Sequence, residues 1–517
     1  MKQLIDIDLT PQEYHTPDLL KDCVSRKTGI AFNDIAHIEV IRRSLDSRRG
    51  IRYHCTIEVY CGEEFIQPDF SGRYLDCTNR PAVVIVGAGP AGLFAALRAL
   101  ELGIRPILVD RGKPVEERKL DIARLARTQE VDPNSNWCFG EGGAGTYSDG
   151  KLYTRSTKRG NVNDVLKRFV EHGAEPSILI DAHAHIGTDR LSGIISQMRH
   201  TIIEHGGEYH FSTQAADLIL RNGRVCGILT SSGQTIEGQA VILATGHSAR
   251  DIYQLFATKG WNLEAKPFAL GVRVEHPQQL INQIQYHKAG SQMQYLPPAA
   301  YALTTQVGKH GVFSFCMCPG GCIVPAATGP SQQVVNGMSN AHRSSPFANS
   351  GIAVTVGPDD IPQYASQGPL GLLQFQQDVE RHVFNAVGGS ITAPIQRLTD
   401  FCSSRLSKSN NKTNYLGQTT NAPIHEILPD FVVKALQQGF RDFDRKMKGF
   451  YTAEASILAV ESRTSSPVRI PRDKDTLQHP QLPGLYPCGE GAGFAGGIVS
   501  SALDGIKSIE HISLSIK

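Results

Sequence analysis

Val83-Val84-Ile85-Val86-Gly87-Ala88-Gly89-Pro90-Ala91-Gly92, followed by Ile107-Leu108-Val109-Asp110, is the stretch whose reading decides the fold. An apolar strand runs into a glycine turn, then a helix, then a second strand closed by an acid, which is the fingerprint of a dinucleotide-binding unit. Gly87 permits the tight turn, Gly89 lets a pyrophosphate approach the backbone, and Gly92 lets the helix pack close to the strand, with Ala96 and Ala99 continuing its small face. The anion is expected on the unpaired N–H groups of the helix N-terminus. Asp110, about 20 residues on, is placed to accept hydrogen bonds from ribose hydroxyls.

Two further marks lie downstream. Val241-Ile242-Leu243-Ala244-Thr245-Gly246 reads as a strand ending in an A-T-G turn. Pro483-Gly484-Leu485-Tyr486-Pro487-Cys488-Gly489-Glu490-Gly491-Ala492-Gly493 reads as a strand, a second glycine turn and a helix from about Ile498 to Ile512. Gly491, Gly493 and Gly496 also match G-x-G-x-x-G, but the chain ends at Lys517 with no room for a second strand and its acid. The better reading is a flavin motif in which Glu490 holds the ribityl chain and the following helix aims its N-terminus at the ring.

In this order the three marks resemble the FAD-dependent oxidoreductase superfamily of the glutathione-reductase type. The stretches Phe139 to Leu152, His185-Ile186-Gly187-Thr188-Asp189, Cys316-Met317-Cys318-Pro319-Gly320-Gly321 and Gly491 to Ile498 narrow the resemblance to a poorly characterised bacterial family of FAD-utilising dehydrogenases. It implies an α/β architecture: a Rossmann-like FAD-binding domain of the GR2 type, βαβ with a β-meander, carrying an inserted α+β substrate or cap domain and a small N-terminal module. Cofactor contacts are then expected from Gly87, Ala88, Gly89, Pro90, Ala91, Gly92, Asp110, Arg111, Arg118, Gly142, Gly143, Ala144, Gly145, Thr245, Gly246, Gly489, Glu490, Gly497 and Ile498. Arg118 is expected to reach the adenosine side or a phosphate.

Residues 1–80 read as the separate module. Thr16 can cap a helix starting at Pro17 and stopping at Gly29. Ile51, Tyr53, Cys55, Ile57 and Val59 alternate with polar residues as in a half-buried strand, paired with Ile38 to Leu45. That gives β-α-β-β, with Arg42, Arg43, Arg48 and Arg49 on its hairpin. The FAD-binding domain is assigned to 81–250 and 455–517, its meander turning at Asn222-Gly223 and Ser232-Gly233. The substrate domain is assigned to 251–454, with helical periodicity near Leu370 to Val387 and Phe431 to Met447.

Composition bounds the rest. Lys+Arg 52 against Asp+Glu 50 gives a net charge of +2, so no global field points to nucleic acid or a membrane. No apolar run reaches the ~18 residues of a membrane span. Eleven cysteines without framework spacing suit reduced thiols in a cytoplasm.

For catalysis the candidates are His185 in a corner with Asp189 and Arg190, and the thiols of Cys316, Cys318 or Cys488. Zinc at Cys316, Cys318 and Cys322 lacks a spacing partner, and a metal at Asp181, His183 and His185 lacks a completing ligand. The cysteines are expected to pack, since no nearby basic residue visibly lowers their pKa. Arg273, Glu275, Arg463 and Arg469 are candidates for gripping an anionic substrate. The function expected is an FAD-dependent dehydrogenase passing hydride or electrons between flavin and a small molecule, with the electron donor or acceptor open. One complete fingerprint predicts no permanent NAD(P) domain but leaves room for transient NAD(P)H. The alternatives are a flavin-dependent RNA-modification enzyme using the arginine hairpin, and a flavin-bound scaffold or redox sensor.

Overall fold

The five residues of Ala82–Val86 are apolar at every position, a pattern that suits a strand covered on both faces. The computed structural model describes residues 2–48, 50–154, 160–287 and 289–516. Here this strand is central in a five-stranded parallel sheet, ordered Leu485–Pro487, Val241–Leu243, Ala82–Val86, Arg105–Val109 and Glu208–His210. Val83 and Ile85 share a core with Leu93, Leu97, Val499 and Leu503 of the helices Pro90–Glu101 and Ile498–Ser515. Those helices touch so closely that a Cβ on Gly505 would lie 2.0 Å from the Ala91 carbonyl oxygen. Val84 and Val86 face the other way, onto Val225, Ile228 and Ile236 of the meander and Tyr253 and Phe256 of the helix Arg250–Lys259. The meander strands Ala215–Arg221, Arg224–Thr230 and Thr235–Glu237 are antiparallel, turning where Asn222 (φ 52°), Gly223 (φ 75°) and Gly233 (φ 84°) take left-handed conformations.

A second sheet has seven strands, ordered Thr304–Val307, His310–Cys318, Phe347–Val356, Phe268–Pro277, Ser456–Glu461, Ala393–Arg397 and Thr419–Asn421. Its pairings are antiparallel except the last. Helices Gly371–Ala386 and Asp430–Lys446 coincide with the two predicted periodic stretches, and Leu436, Phe440 and Phe443 join the core under this sheet. The expected return to the first domain at 455 needs correcting. Ser456–Glu461 lies inside the seven-stranded sheet, between Phe268–Pro277 and Ala393–Arg397, and the parallel sheet is rejoined only by Leu485–Pro487. Six consecutive buried residues announce a covered strand, but not the sheet it serves.

The N-terminal residues form the strand Lys2–Leu9, the helices Pro11–His15 and Pro17–Thr28, and the hairpin His37–Asp46 and Arg52–Tyr60, with Arg52–Tyr60 in the middle. Gly29 ends the second helix at φ 75°. The capping side chain is Thr10, which forms a reciprocal box with Glu13; Thr16 makes no side-chain cap bond among the described residues. On the hairpin, Arg48 pairs with Asp46 at 2.7 Å, and Arg43 donates to Asp181 at 2.6 Å and to the Tyr14 hydroxyl at 2.7 Å. Arg49 lies outside the described residues. Two of the four hairpin arginines are thus engaged by acids of this chain, and Arg43 ties the module to the body. Among the described residues no helix is long and apolar enough to cross a membrane.

Candidate functional site

One cleft of about 640 Å³ runs between the two sheets. It is lined by Gly87, Gly89, Pro90 and Ala91 of the first turn, and by Asp110 and Arg111 at the end of the second strand. It is also lined by Gly143, Ala144 and Gly145, by Thr245, Gly246 and His247, and by Glu490, Gly497 and Ile498. Lys151 lines it too, as do Ser314, Phe315 and Cys316 of the seven-stranded sheet.

The helices Pro90–Glu101 and Ile498–Ser515 both start on this cleft, from glycine N-caps without a capping side chain. Their first N–H groups and positive dipole ends therefore suit an anionic ligand. Gly89 has φ −79°, which any residue can adopt, and an added Cβ would approach only Gly143 Cα, at 3.7 Å. What glycine supplies there is open space toward the cleft. Gly87 differs: with φ 106° its Cβ would meet the Ala244 carbonyl oxygen at 2.3 Å, so this glycine is required by the fold itself.

Asp110 is buried, with Oδ2 accepting the Ala88 N–H at 2.9 Å and Oδ1 accepting the Gly112 N–H at 2.8 Å. These bonds fix the carboxylate and leave lone pairs for hydroxyl donors. Arg111 stacks on the Phe139 ring, 4.4 Å from its centroid, and pairs with Asp251. His247 Nδ1 stands 3.7 Å from Glu490 Oε2, and its buried Nε2 has no partner among the described residues. A buried ring nitrogen left unpaired beside a carboxylate in a cleft suits a polar ligand.

Several expected cofactor residues stand behind the cleft. Ala88 and Gly92 are buried under the turn; a Cβ on Gly92 would come within 1.9 Å of the Gly87 carbonyl oxygen. Gly142 donates its N–H to the Ala88 carbonyl at 2.8 Å, and Gly489 donates to Asp504 at 2.8 Å. Arg118 corrects the expectation most. Its fully buried guanidinium donates to the carbonyls of Asn136 (2.8 Å), Glu141 (2.8 Å), Gly143 (2.9 Å) and Gly140 (3.3 Å), so it grips the glycine loop from beneath instead of reaching a phosphate.

The substrate and catalytic candidates also move. His185 does not line the cleft; its Nε2 meets the Ala341 carbonyl oxygen at 3.2 Å, and burial, then Arg343, lowers its pKa. Asp189 accepts the Ala341 N–H at 2.7 Å, while Arg190 is exposed. Arg273 is fully buried and committed to Glu461 (2.7 Å), Asn349 (2.7 Å) and the Cys316 carbonyl (3.3 Å). Arg469 pairs with Glu264 at 3.5 Å and lies over the Phe494 ring, 5.7 Å from its centroid, and Cys488 is buried away from the cleft. Arg463 does line it, but donates to Thr328 (2.6 Å), Gln332 (2.8 Å) and Glu380 (3.2 Å).

Of the candidate cysteines, Cys318 and Cys488 are buried and Cys316 is partly accessible. Cys316 lines the cleft with φ 48°, at a bulge between Phe315 and Cys318. Its thiol is pushed below the usual range by a hydrogen bond with Cys318, with help from Lys151 and Arg273. The expectation of no basic neighbour fails because Lys151 and Cys316 are 165 positions apart in the chain and only folding joins them. Lys151 and His247 were missed as site residues, although Lys151 lies within the quoted stretch Phe139 to Leu152 and His247 directly follows the A-T-G turn.

Glu275, a sequence candidate for anion binding, is buried outside the cleft, where burial pushes its pKa up to about 7 while the Asn414 N–H donates to it at 3.1 Å. A carboxyl raised in the folded state stabilises fully below its unfolded pKa of 4.5 and loses that contribution as pH rises through about 7. Glu275→Gln is therefore expected to be more stable than the parent at pH 8, by on the order of 2–3 kcal/mol, and to show little gain at pH 4.5. Denaturant midpoints at both pH values check this; an equal difference at both would contradict it.

Fold and cleft together suit a bound dinucleotide. Residues 267–464 match the family described as FAD-dependent protein, C-terminal domain-like, and FAD is the cofactor. The chain belongs to the same family as an uncharacterised protein of Clostridium beijerinckii, 38% identical over 518 residues, an alignment covering 96% of each. Residues 1–60 match a domain of unknown function. Similar solved structures include a geranylgeranyl bacteriochlorophyll reductase-like protein from Thermoplasma acidophilum (13% identity, 84% of this chain and 78% of that one, TM-score 0.35) and an oxidoreductase from Methanosarcina mazei (12%, 83% and 99%, TM-score 0.31). The halogenase PltM in complex with FAD is another (10%, 85% and 69%, TM-score 0.39).

Proposed function

We propose that this chain is an FAD-dependent oxidoreductase of the glutathione-reductase type, acting on a small molecule admitted to the cleft beside Lys151 and Cys316. The observation that carries this reading is the continuity of the cleft from Asp110 to Cys316. Asp110 would take the ribose hydroxyls, the Pro90 helix N-terminus and the Gly143–Gly145 backbone the pyrophosphate, and Glu490 the ribityl chain. The Ile498 helix N-terminus would face the ring. Bound flavin supplies hydride or electron transfer. The protein orients the substrate against it, and the Lys151 ammonium offers an anchor for a polar or anionic group. The reading retains a cytoplasmic location, a separate acceptor or donor and a transient role for NAD(P)H. The RNA alternative is less favoured, because Arg43 and Arg48 are already paired.

Cofactor released by heat from the purified chain should co-elute with FAD; FMN alone would contradict the adenosine contacts at Asp110. Anaerobic bleaching of the bound flavin by fractions of a metabolite pool then identifies the substrate, and absence of bleaching by any donor would favour a scaffold. Glu490→Ala should weaken FAD binding by about 1.5–3 kcal/mol if its bonds are charge-assisted, roughly ten- to a hundredfold in Kd. An unchanged Kd would remove Glu490 from the proposed site.

A further inference from the structure

Cys316 and Cys318 stand two residues apart on the strand His310–Cys318, where a bulge breaks the ladder to Phe347–Val356 between Phe315 and Cys318. Left-handed backbone at a non-glycine residue is strained, and such strain collects at functional positions. The Cys318 thiol turns back to donate to the Cys316 carbonyl at 3.2 Å, so the bulge folds the two cysteines against one another. Cys316 is partly accessible and lines the cleft, whereas Cys318 is fully buried behind it. The cationic surroundings are fixed. Arg273 Nη1 donates to the Cys316 carbonyl at 3.3 Å and lies 3.9 Å from Cys318 Sγ, and the Lys151 ammonium donates to the Met317 carbonyl between them. The acids facing the pair are accounted for: Asp149 is held by Arg343 at 2.6 Å, and Glu461 by Arg273 at 2.7 Å. An accessible thiol beside fixed cations, backed by a second thiol, is the arrangement of an attacking and a resolving cysteine.

We propose that Cys316 and Cys318 form a dithiol–disulfide couple that exchanges two electrons with the flavin bound in the cleft. The inference rests on the reading of this cleft as the flavin site. In the oxidative direction the two S–H bonds break, one S–S bond forms between the sulfurs, and the electron pair and two protons reduce FAD to FADH2. In reverse, reduced flavin opens the disulfide, Cys318 taking back one proton and Cys316 the other or remaining a thiolate. The Lys151 and Arg273 charges stabilise the Cys316 thiolate in the reduced state.

The test uses the full-length flavin-loaded chain, treated with diamide, desalted and titrated anaerobically with dithionite. About four electrons per flavin are expected, two for each couple, against about two in Cys316→Ser and Cys318→Ser. Two electrons per flavin in the parent chain would overturn the proposal. Peptide mapping of the diamide-treated parent needs no variant to fold: a 316–318 peptide lacking two hydrogens supports the couple, and alkylation of both cysteines overturns it. Lys151→Met keeps both sulfurs but removes a cation, and should slow alkylation of Cys316 at pH 7 roughly tenfold for each pH unit by which its titration rises. A colourless chain would instead defeat the flavin reading, while the mapped peptide still reports on the thiols.

Discussion

Gly89→Val is expected to fold as stably as the parent chain and to purify without its flavin. The backbone there has φ −79°, open to valine, and the nearest atom to a new Cβ is Gly143 Cα at 3.7 Å, ordinary van der Waals contact. The branched side chain would instead fill the space through which a pyrophosphate must approach the Pro90–Glu101 helix. Losing about two charge-assisted hydrogen bonds at 1.5–3 kcal/mol each corresponds to roughly a hundred- to ten-thousandfold weaker FAD binding. Gly87→Ala should do the reverse, destabilising the fold by at least about 1–3 kcal/mol, because φ 106° and the Ala244 carbonyl at 2.3 Å both oppose a side chain. Flavin content and thermal midpoint measured on both variants separate the two roles. Equal flavin retention by Gly89→Val and the parent would mean that no ligand approaches that turn.

Arg273→Met should be among the most destabilising single substitutions in the second sheet, by about 3–5 kcal/mol, because it leaves Glu461 buried without its partner. Arg273 and Glu461 are both fully buried, and the guanidinium also satisfies Asn349, Asn336 and the Cys316 carbonyl. The double substitution Arg273→Met with Glu461→Leu should recover much of the loss, since the cost lies in the orphaned charge and not in the absence of the pair. Urea unfolding of the parent, both single variants and the double variant measures this cycle; additive losses would contradict it.

Much of this molecule is legible in its sequence, and the reason is locality. The strand–turn–helix from Val83 to Gly92, the meander turns at Asn222-Gly223 and Ser232-Gly233, and the helices near 371–386 and 430–446 are each specified by residues adjacent in the chain. What escapes is decided at a distance. Ser456–Glu461 advertises burial but not its sheet, because partner choice resides in Phe268–Pro277 and Ala393–Arg397. Arg118 and Arg273 look like ligand-gripping cations until their neighbours are seen to be backbone carbonyls, amides and a buried carboxylate. Cys316 looks inert for the complementary reason, its cations arriving from other segments.

The grip of Arg118 on the 136–143 carbonyls bears on how fast the cofactor comes and goes. A loop already anchored by one internal side chain has little freedom left to surrender when a ligand arrives, so uptake should be limited by entry to the cleft and not by assembly of its wall. The same anchoring makes one arginine the common hinge pin of the glycine loop: loosen it, and the wall must be rebuilt at every encounter.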